Sequence, residues 1–200
     1  MKVLFSFIVL AAGYLLGSLS FSIILSRLIG RDIRKEGSGN AGATNMTRVF
    51  GWAAGVATLA FDVLKAVAAM LIGRKLLGDT GVCLGGMASM IGHCWPVLHE
   101  FKGGKGISIG AAIGLMIDWR VLVAIVAVFL VGALVSRKVS VGSIAAAVAI
   151  VPSTWIFAPS PSMVALATFT GVLAIYRHKE NISRLRAGTE PDFRAGKGKH

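Results

Sequence analysis

Acidic side chains are scarce in this chain: nine Asp and Glu stand against 21 Lys and Arg in 200 residues. Charged residues of either sign make up 15% of the sequence, where a soluble domain carries about 25%. That shortage excludes an ordinary soluble domain. No carboxylate cluster and no His/Cys cluster stands in a ligand pattern, so neither a metal nor another cofactor is expected. Cysteine is also rare. Cys83 and Cys94 fall in one apolar run at a spacing that fits no metal motif, and they read as small core residues.

What the chain has instead is apolar sequence. Hydrophobic residues make up 55% and the mean hydropathy is +0.75. Runs of ~20 apolar residues are the mark of membrane-spanning helices. The expected fold class is therefore an all-α integral membrane protein, one bundle with no separate soluble domain. The runs cover residues 3–26, 49–72, 80–98, 106–117, 121–135, 140–161 and 162–176. The first begins after a single lysine, is too long for a signal-peptide core, and reads as an uncleaved helix. Residues 106–117 are short for a ~30 Å hydrocarbon core at 1.5 Å per residue. The turn signal Ala158-Pro159-Ser160-Pro161 divides the last two runs.

The formal charge of +12 does not point to nucleic acid, because the basic residues lie at the ends of apolar runs and not on one soluble surface. Charge bias chooses a topology instead. With about seven transmembrane helices, the N-terminus outside and the C-terminus cytoplasmic, sixteen Lys/Arg fall inside and four outside. If 106–117 did not cross, that bias would reverse, so it is counted as a crossing. Residues 1–190 then form a single membrane domain, and 191–200 a basic, disordered tail. Four polar segments, far apart in sequence, meet at the cytoplasmic face.

Three of those segments carry chemistry. The first is 37–45, with Gly37, Gly39 and Gly42, Asn40 and Asn45, Ser38 and Thr44, followed by Arg48. Glycine admits positive φ and close approach of a ligand to the main chain, and successive N–H groups can cradle an anion. A polar inter-helix loop is the plainer alternative. The second is Phe101-Lys102-Gly103-Gly104-Lys105-Gly106, directly before a helix whose first turn would attract anions. Its spacing is not that of a P-loop. The third runs from Tyr176 to Glu190 and includes His178, Asn181 and Arg184. Within the membrane lie His93, near the cytoplasmic end of its span, and Asp62 with Lys65 on one helix face. Intramembrane ionisable groups are functional hypotheses by default. The three-residue spacing of Asp62 and Lys65 suits a self-neutralising pair that locks two helices, with a proton relay as the alternative. Ser140 and Ser143 flank a helix start, as cap or as ligand.

These stretches resemble one family in order, spacing and hydrophobic frame over residues 3–190: the bacterial acyl-phosphate:glycerol-3-phosphate acyltransferases of the PlsY type. The likeness rests on Ser38-Gly39-Asn40, Gly42 and Asn45, then on Gly92-His93 with Pro96, Phe101 and Gly103-Gly104-Lys105-Gly106. It ends on Asn181-Ile182, Arg184-Leu185, Gly188 and Glu190. Trp95 replaces a smaller aromatic, and Ser108-Ile109 stand where Ala-Thr is usual.

The resemblance implies transfer of a fatty acyl group from acyl phosphate to the 1-hydroxyl of glycerol 3-phosphate. The products are lysophosphatidic acid and phosphate, at the head of phospholipid synthesis in a bacterial cytoplasmic membrane. Membrane lipids and the enzyme that makes acyl phosphate are the implied partners. By the same resemblance, Ser38, Gly39, Asn40, Gly42, Thr44 and Asn45 cradle phosphate and polarise the carbonyl. Arg48 and Lys105 neutralise phosphate, with Gly103 and Gly104 giving backbone room. His93 orients the first stretch or a substrate oxygen, and Ser143, His178, Asn181 and Arg184 complete the glycerol-phosphate side. The base is left open among His178, His93 and a substrate phosphate, as is whether Ser38 attacks or donates. A transporter of a phosphorylated metabolite is the rival class. It would call for a midplane site and an inverted repeat.

Overall fold

The computed structural model describes residues 1–192. The expected basic tail lies, beyond Asp192, outside the described residues. Among those described there are nine α-helices and no strand. They are α1 (Lys2–Ser18), α2 (Phe21–Leu28), α3 (Ala43–Phe50), α4 (Trp52–Cys94), α5 (Ile107–Ile117), α6 (Trp119–Ser136), α7 (Val139–Phe157), α8 (Pro161–Arg177) and α9 (Lys179–Arg186).

Among the described residues four segments are long and apolar enough to cross a membrane: Lys2–Leu28, Trp52–His99, Trp119–Ser136 and Val139–Phe157. Helices α5 and α8 are apolar but shorter. Helix α4 is not one rod. Gly78 takes a non-helical conformation (φ 60°, ψ −139°), at the break the sequence places between its second and third runs. The two halves fold back on each other so closely that a Cβ on Gly73 would lie 2.0 Å from the Gly81 carbonyl oxygen. Helix α1 is held the same way, with Gly17 against Ser89 and Gly92 against Tyr14. Small residues let backbones approach, which is how helices associate where no hydrophobic effect separates them from lipid.

Three antiparallel turns follow, at Asp118, Arg137 and Ala158. The predicted Pro turn is present: Ser160 caps α8, accepting from the Met163 N–H at 3.3 Å, with Pro161 in the first turn. Two boundaries differ from expectation. The first apolar run breaks at Leu19, between α1 and α2, where the Leu19 carbonyl turns aside to accept from Lys65 Nζ at 2.6 Å. The polar segment 27–48 is not all loop, since α3 starts at Ala43 and runs to Phe50, with Gly51 (φ 87°) as its C-cap. Large apolar side chains remain exposed on α6, including Leu130, Val131 and Leu134, as expected of a lipid-facing helix.

Candidate active site

The first stretch is built on Asn45. Its amide is buried: Oδ1 accepts the Ser38 N–H at 2.9 Å, and Nδ2 donates to the carbonyls of Glu36 (2.9 Å) and Ile33 (3.3 Å). Gly37, at φ 57°, leaves no room beside it, because a Cβ there would lie 2.2 Å from Oδ1. The Gly39 N–H donates to the Glu36 carbonyl at 2.9 Å. The amides of Ser38 and Gly39 are thus used within the loop and do not form the expected anion cradle. The free N–H groups lie further on, in the first turn of α3 at Ala43 and Thr44, which have no intrahelical acceptor. Asn45 is a staple of the loop, not a substrate donor. A small core of Ile23, Ile33, Ala41 and Met46 supports it from below.

The second stretch is clamped from two sides. The Gly104 N–H donates to the His93 carbonyl at 3.1 Å. Arg177 donates to the carbonyls of Gly104 (3.1 Å) and Gly103 (3.4 Å) while lying over the Trp95 ring. Arg34 ties the first loop to this one through the His99 carbonyl at 3.2 Å. The Lys105 ammonium reaches Asn181 Oδ1. Burial lowers its pKa, and the charge of Arg184 adds to that.

The third stretch is organised by Glu190, a residue that the family likeness includes but that sequence reasoning left without a role. Its carboxylate is buried, accepting from Asn181 Nδ2 and Arg184 Nε, each at 2.7 Å. Burial alone would raise its pKa; the donors around it, Asn181 and Arg184 among them, outweigh burial and lower it. His178 is also buried, and its Nδ1 lies 2.7 Å from the Ala174 carbonyl.

These pieces meet in a cavity of about 420 Å³. Ser38, Asn40, Gly42, Thr44, Asn45, Arg48, His93, Lys105, Ser143, His178, Asn181 and Arg184 all line it, as do Ser108, Ser140 and Glu190. Gly39 and Gly103 line a neighbouring cavity of about 350 Å³, which shares Ser38, Asn40 and Lys105 with the first. Gly104 lines neither and packs against the His93 ring. The larger cavity continues between α5, α6 and α7 as an apolar groove lined by Ile125, Val126, Phe129, Leu130, Ala146 and Ile150. Its mouth is basic and its interior is apolar, which suits a ligand with an anionic head and an alkyl tail.

Asp62 and Lys65 form the expected pair at 2.8 Å, but in a larger network that takes in His93 and Ser108. Ser108 Oγ donates to Asp62 Oδ2 at 2.9 Å. No hydrogen bond joins His93 to the first stretch among the described residues. Its contact is with the second.

The chain is similar to known proteins over nearly its whole length. A family described as glycerol-3-phosphate acyltransferase matches residues 7–188. A glycerol-3-phosphate acyltransferase of Syntrophotalea carbinolica is 43% identical over 94% of this chain and 98% of its own. One from Roseobacter denitrificans is 40% identical over 90% of each. Crystal structures of PlsY (YgiH), an integral membrane glycerol 3-phosphate acyltransferase, superpose on 94% of both chains at 35% identity. The TM-score is 0.89 for the glycerol 3-phosphate form and 0.87 for the lysophosphatidic acid form.

Proposed function

The chain belongs to the glycerol-3-phosphate acyltransferase family, and we propose that its cavity transfers an acyl group from acyl phosphate to glycerol 3-phosphate at the cytoplasmic face of a bacterial inner membrane. It is a multi-pass membrane acyltransferase acting in phospholipid synthesis. One observation carries the finer reading: a single cavity joins a basic, polar mouth to an apolar groove between helices. Two phosphorylated substrates and one acyl chain can therefore be held with their reacting atoms together.

Counting α4 as two crossings about Gly78, the helices α1, α4, α5, α6, α7 and α8 cross seven times. With that count, the bias of Lys and Arg supports a site on the cytoplasmic side, the N-terminus outside and the C-terminus cytoplasmic. Residues 1–190 act as one domain. The enzyme that makes acyl phosphate is the partner this reading expects.

The chemistry follows from the side chains present. The 1-hydroxyl oxygen of glycerol 3-phosphate attacks the acyl carbon, the bond from that carbon to the phosphate oxygen breaks, and phosphate leaves with the bonding pair. Acyl phosphate is already activated, so orientation and charge neutralisation are what the protein must supply. Arg48, Lys105 and the first turn of α3 neutralise phosphate. Asn181, Arg184 and Ser143 hold the glycerol-phosphate side. Asn45, Gly39, Gly103 and Gly104 shape the loops that present these groups. Ser38 donates to the reacting oxygens and does not attack. A nucleophilic serine needs a base bonded to its hydroxyl, and among the described residues no hydrogen bond joins the Ser38 hydroxyl to His93 or His178.

His178 takes the hydroxyl proton. Its Nδ1–H donates to the Ala174 carbonyl, leaving the Nε2 lone pair free. Burial pushes its pKa below 6.5 against the pull of the Ala174 carbonyl, and the Lys105 charge adds to that push. The imidazole is therefore neutral and competent at pH 7, and competence is lost as pH falls through its lowered pKa. The expected kcat/KM profile has an acid limb below pH 6.5, and that limb disappears in His178→Asn. A limb that persists unchanged in the variant would assign the base to substrate phosphate.

The primary test uses purified protein, labelled glycerol 3-phosphate and synthetic acyl phosphate. Lysophosphatidic acid is the expected product. Product from acyl-CoA or acyl carrier protein alone would overturn the donor. Export of glycerol 3-phosphate from vesicles without acylation would favour the transporter.

A further inference from the structure

We infer that Lys65 and Asp62 are positioning residues that lock His93 as a hydrogen-bond donor at the wall of the cavity, in the tautomer opposite to that of His178. The geometry leaves the Lys65 ammonium little choice. It has three N–H donors and three acceptors around it: the Leu19 carbonyl at 2.6 Å, Asp62 Oδ1 at 2.8 Å and His93 Nδ1 at 3.2 Å. An ammonium cannot accept, so His93 Nδ1 is the acceptor. The alternative, Nδ1–H donating to Asp62, is too long at 3.6 Å. The ring proton is then on Nε2.

That nitrogen faces Gly104 and the cavity, which His93 helps to line. Asp62 is fixed in turn by Ser108 from the first turn of α5, so one buried network joins α4, α5 and the α1–α2 break. An N–H held at this depth in the wall of a cavity that Lys105 and Ser38 also line donates to a substrate oxygen, and it cannot serve as base. The role at the substrate rests on the acyl-transfer reading given above; the tautomer does not.

The first experiment uses the unmodified protein in detergent or nanodiscs, uniformly ¹⁵N-labelled at its four histidines, with His93→Gln for assignment. The expected spectrum shows His93 Nδ1 as the unprotonated nitrogen and Nε2 as the protonated one, with the pattern reversed at His178. Protonated Nδ1 at His93 overturns the inference in a protein that still makes lysophosphatidic acid. A protein that makes none, from any donor, overturns the acyl-transfer reading instead.

The second experiment removes the two charges together, as Asp62→Asn/Lys65→Met, so that neither is left buried alone. Loss of an aimed donor lowers kcat by about 10²-fold, and KM for glycerol 3-phosphate is expected to change little. Asp62→Asn/Lys65→Gln returns an N–H donor to Nδ1 and is expected to recover most of kcat. Equal kcat in the Met and Gln variants overturns the proposal. If neither variant accumulates in membranes, the spectrum of the unmodified protein decides.

Discussion

Lys105→Ala is expected to lower kcat/KM by about 10²–10³-fold, the loss seen when one preorganised charge-stabilising donor is removed, while the protein still accumulates in membranes. Lys105 lines both cavities, so its side chain borders the polar space of each. It lies where burial and the Arg184 charge disfavour a cation, with Asn181 Oδ1 as its hydrogen-bonded partner. A bound phosphate supplies the missing counter-charge, and that compensation is lost with the side chain. The fold is spared because Asn181 keeps its bond to Glu190 and the loop keeps its clamps from His93 and Arg177. The measurement is KM for each substrate and kcat, taken separately on protein matched for amount in membranes. Unchanged values for both substrates would remove Lys105 from the site.

The apolar runs, the Pro turn and the gathering of three polar stretches at one end of the bundle were legible in the sequence, because hydropathy and charge are local quantities. What escaped depends on partners far along the chain. The break at Leu19 is set by a lysine 46 residues away that takes its carbonyl. No local signal at Leu19-Ser20 announces it. Asn45 sits in a glycine-rich loop of the composition that binds anions. Whether its amide faces ligand or loop is decided by the Ser38 N–H and the Glu36 carbonyl, which the sequence cannot orient. Glu190 was visible as a conspicuous acid in a basic stretch, yet its work is to hold Asn181 and Arg184. Arg177, which the sequence places in the third stretch without a role of its own, clamps two carbonyls of the Gly-Lys loop. For Asn45, Glu190 and Arg177 the residue type indicated a polar contact and the fold chose the partner.

Gly104→Ala tests that dependence on partners most severely. The φ of Gly104 lies outside the left-handed region, so alanine meets no backbone strain there, only neighbours. Its Cβ would lie 2.1 Å from His93 Nε2, 2.7 Å from Cε1 and 3.1 Å from Cδ2. The ring cannot swing aside, because Lys65 holds its far side and is itself held by Asp62 and Leu19. The loop must move instead, stretching the bond from the Gly104 N–H to the His93 carbonyl and the Arg177 clamp, and carrying Lys105 with it. Displacing a substrate-positioning group by about 1 Å costs on the order of 10²-fold in rate, and overpacking a fitted site costs about 1–3 kcal/mol of stability. Gly188→Ala is the control. It sits at φ +69° with nothing near its Cβ, so it carries backbone strain of about 1–2 kcal/mol and is expected to keep full activity. The double variant Gly104→Ala/His93→Ala separates space from chemistry. Removing the ring gives the methyl group room, so KM for the phosphorylated substrates is expected to return toward normal. The lost N–H donor is not replaced, so kcat stays low. If KM also stays high, the fault lies in the loop itself and not in its contact with the histidine.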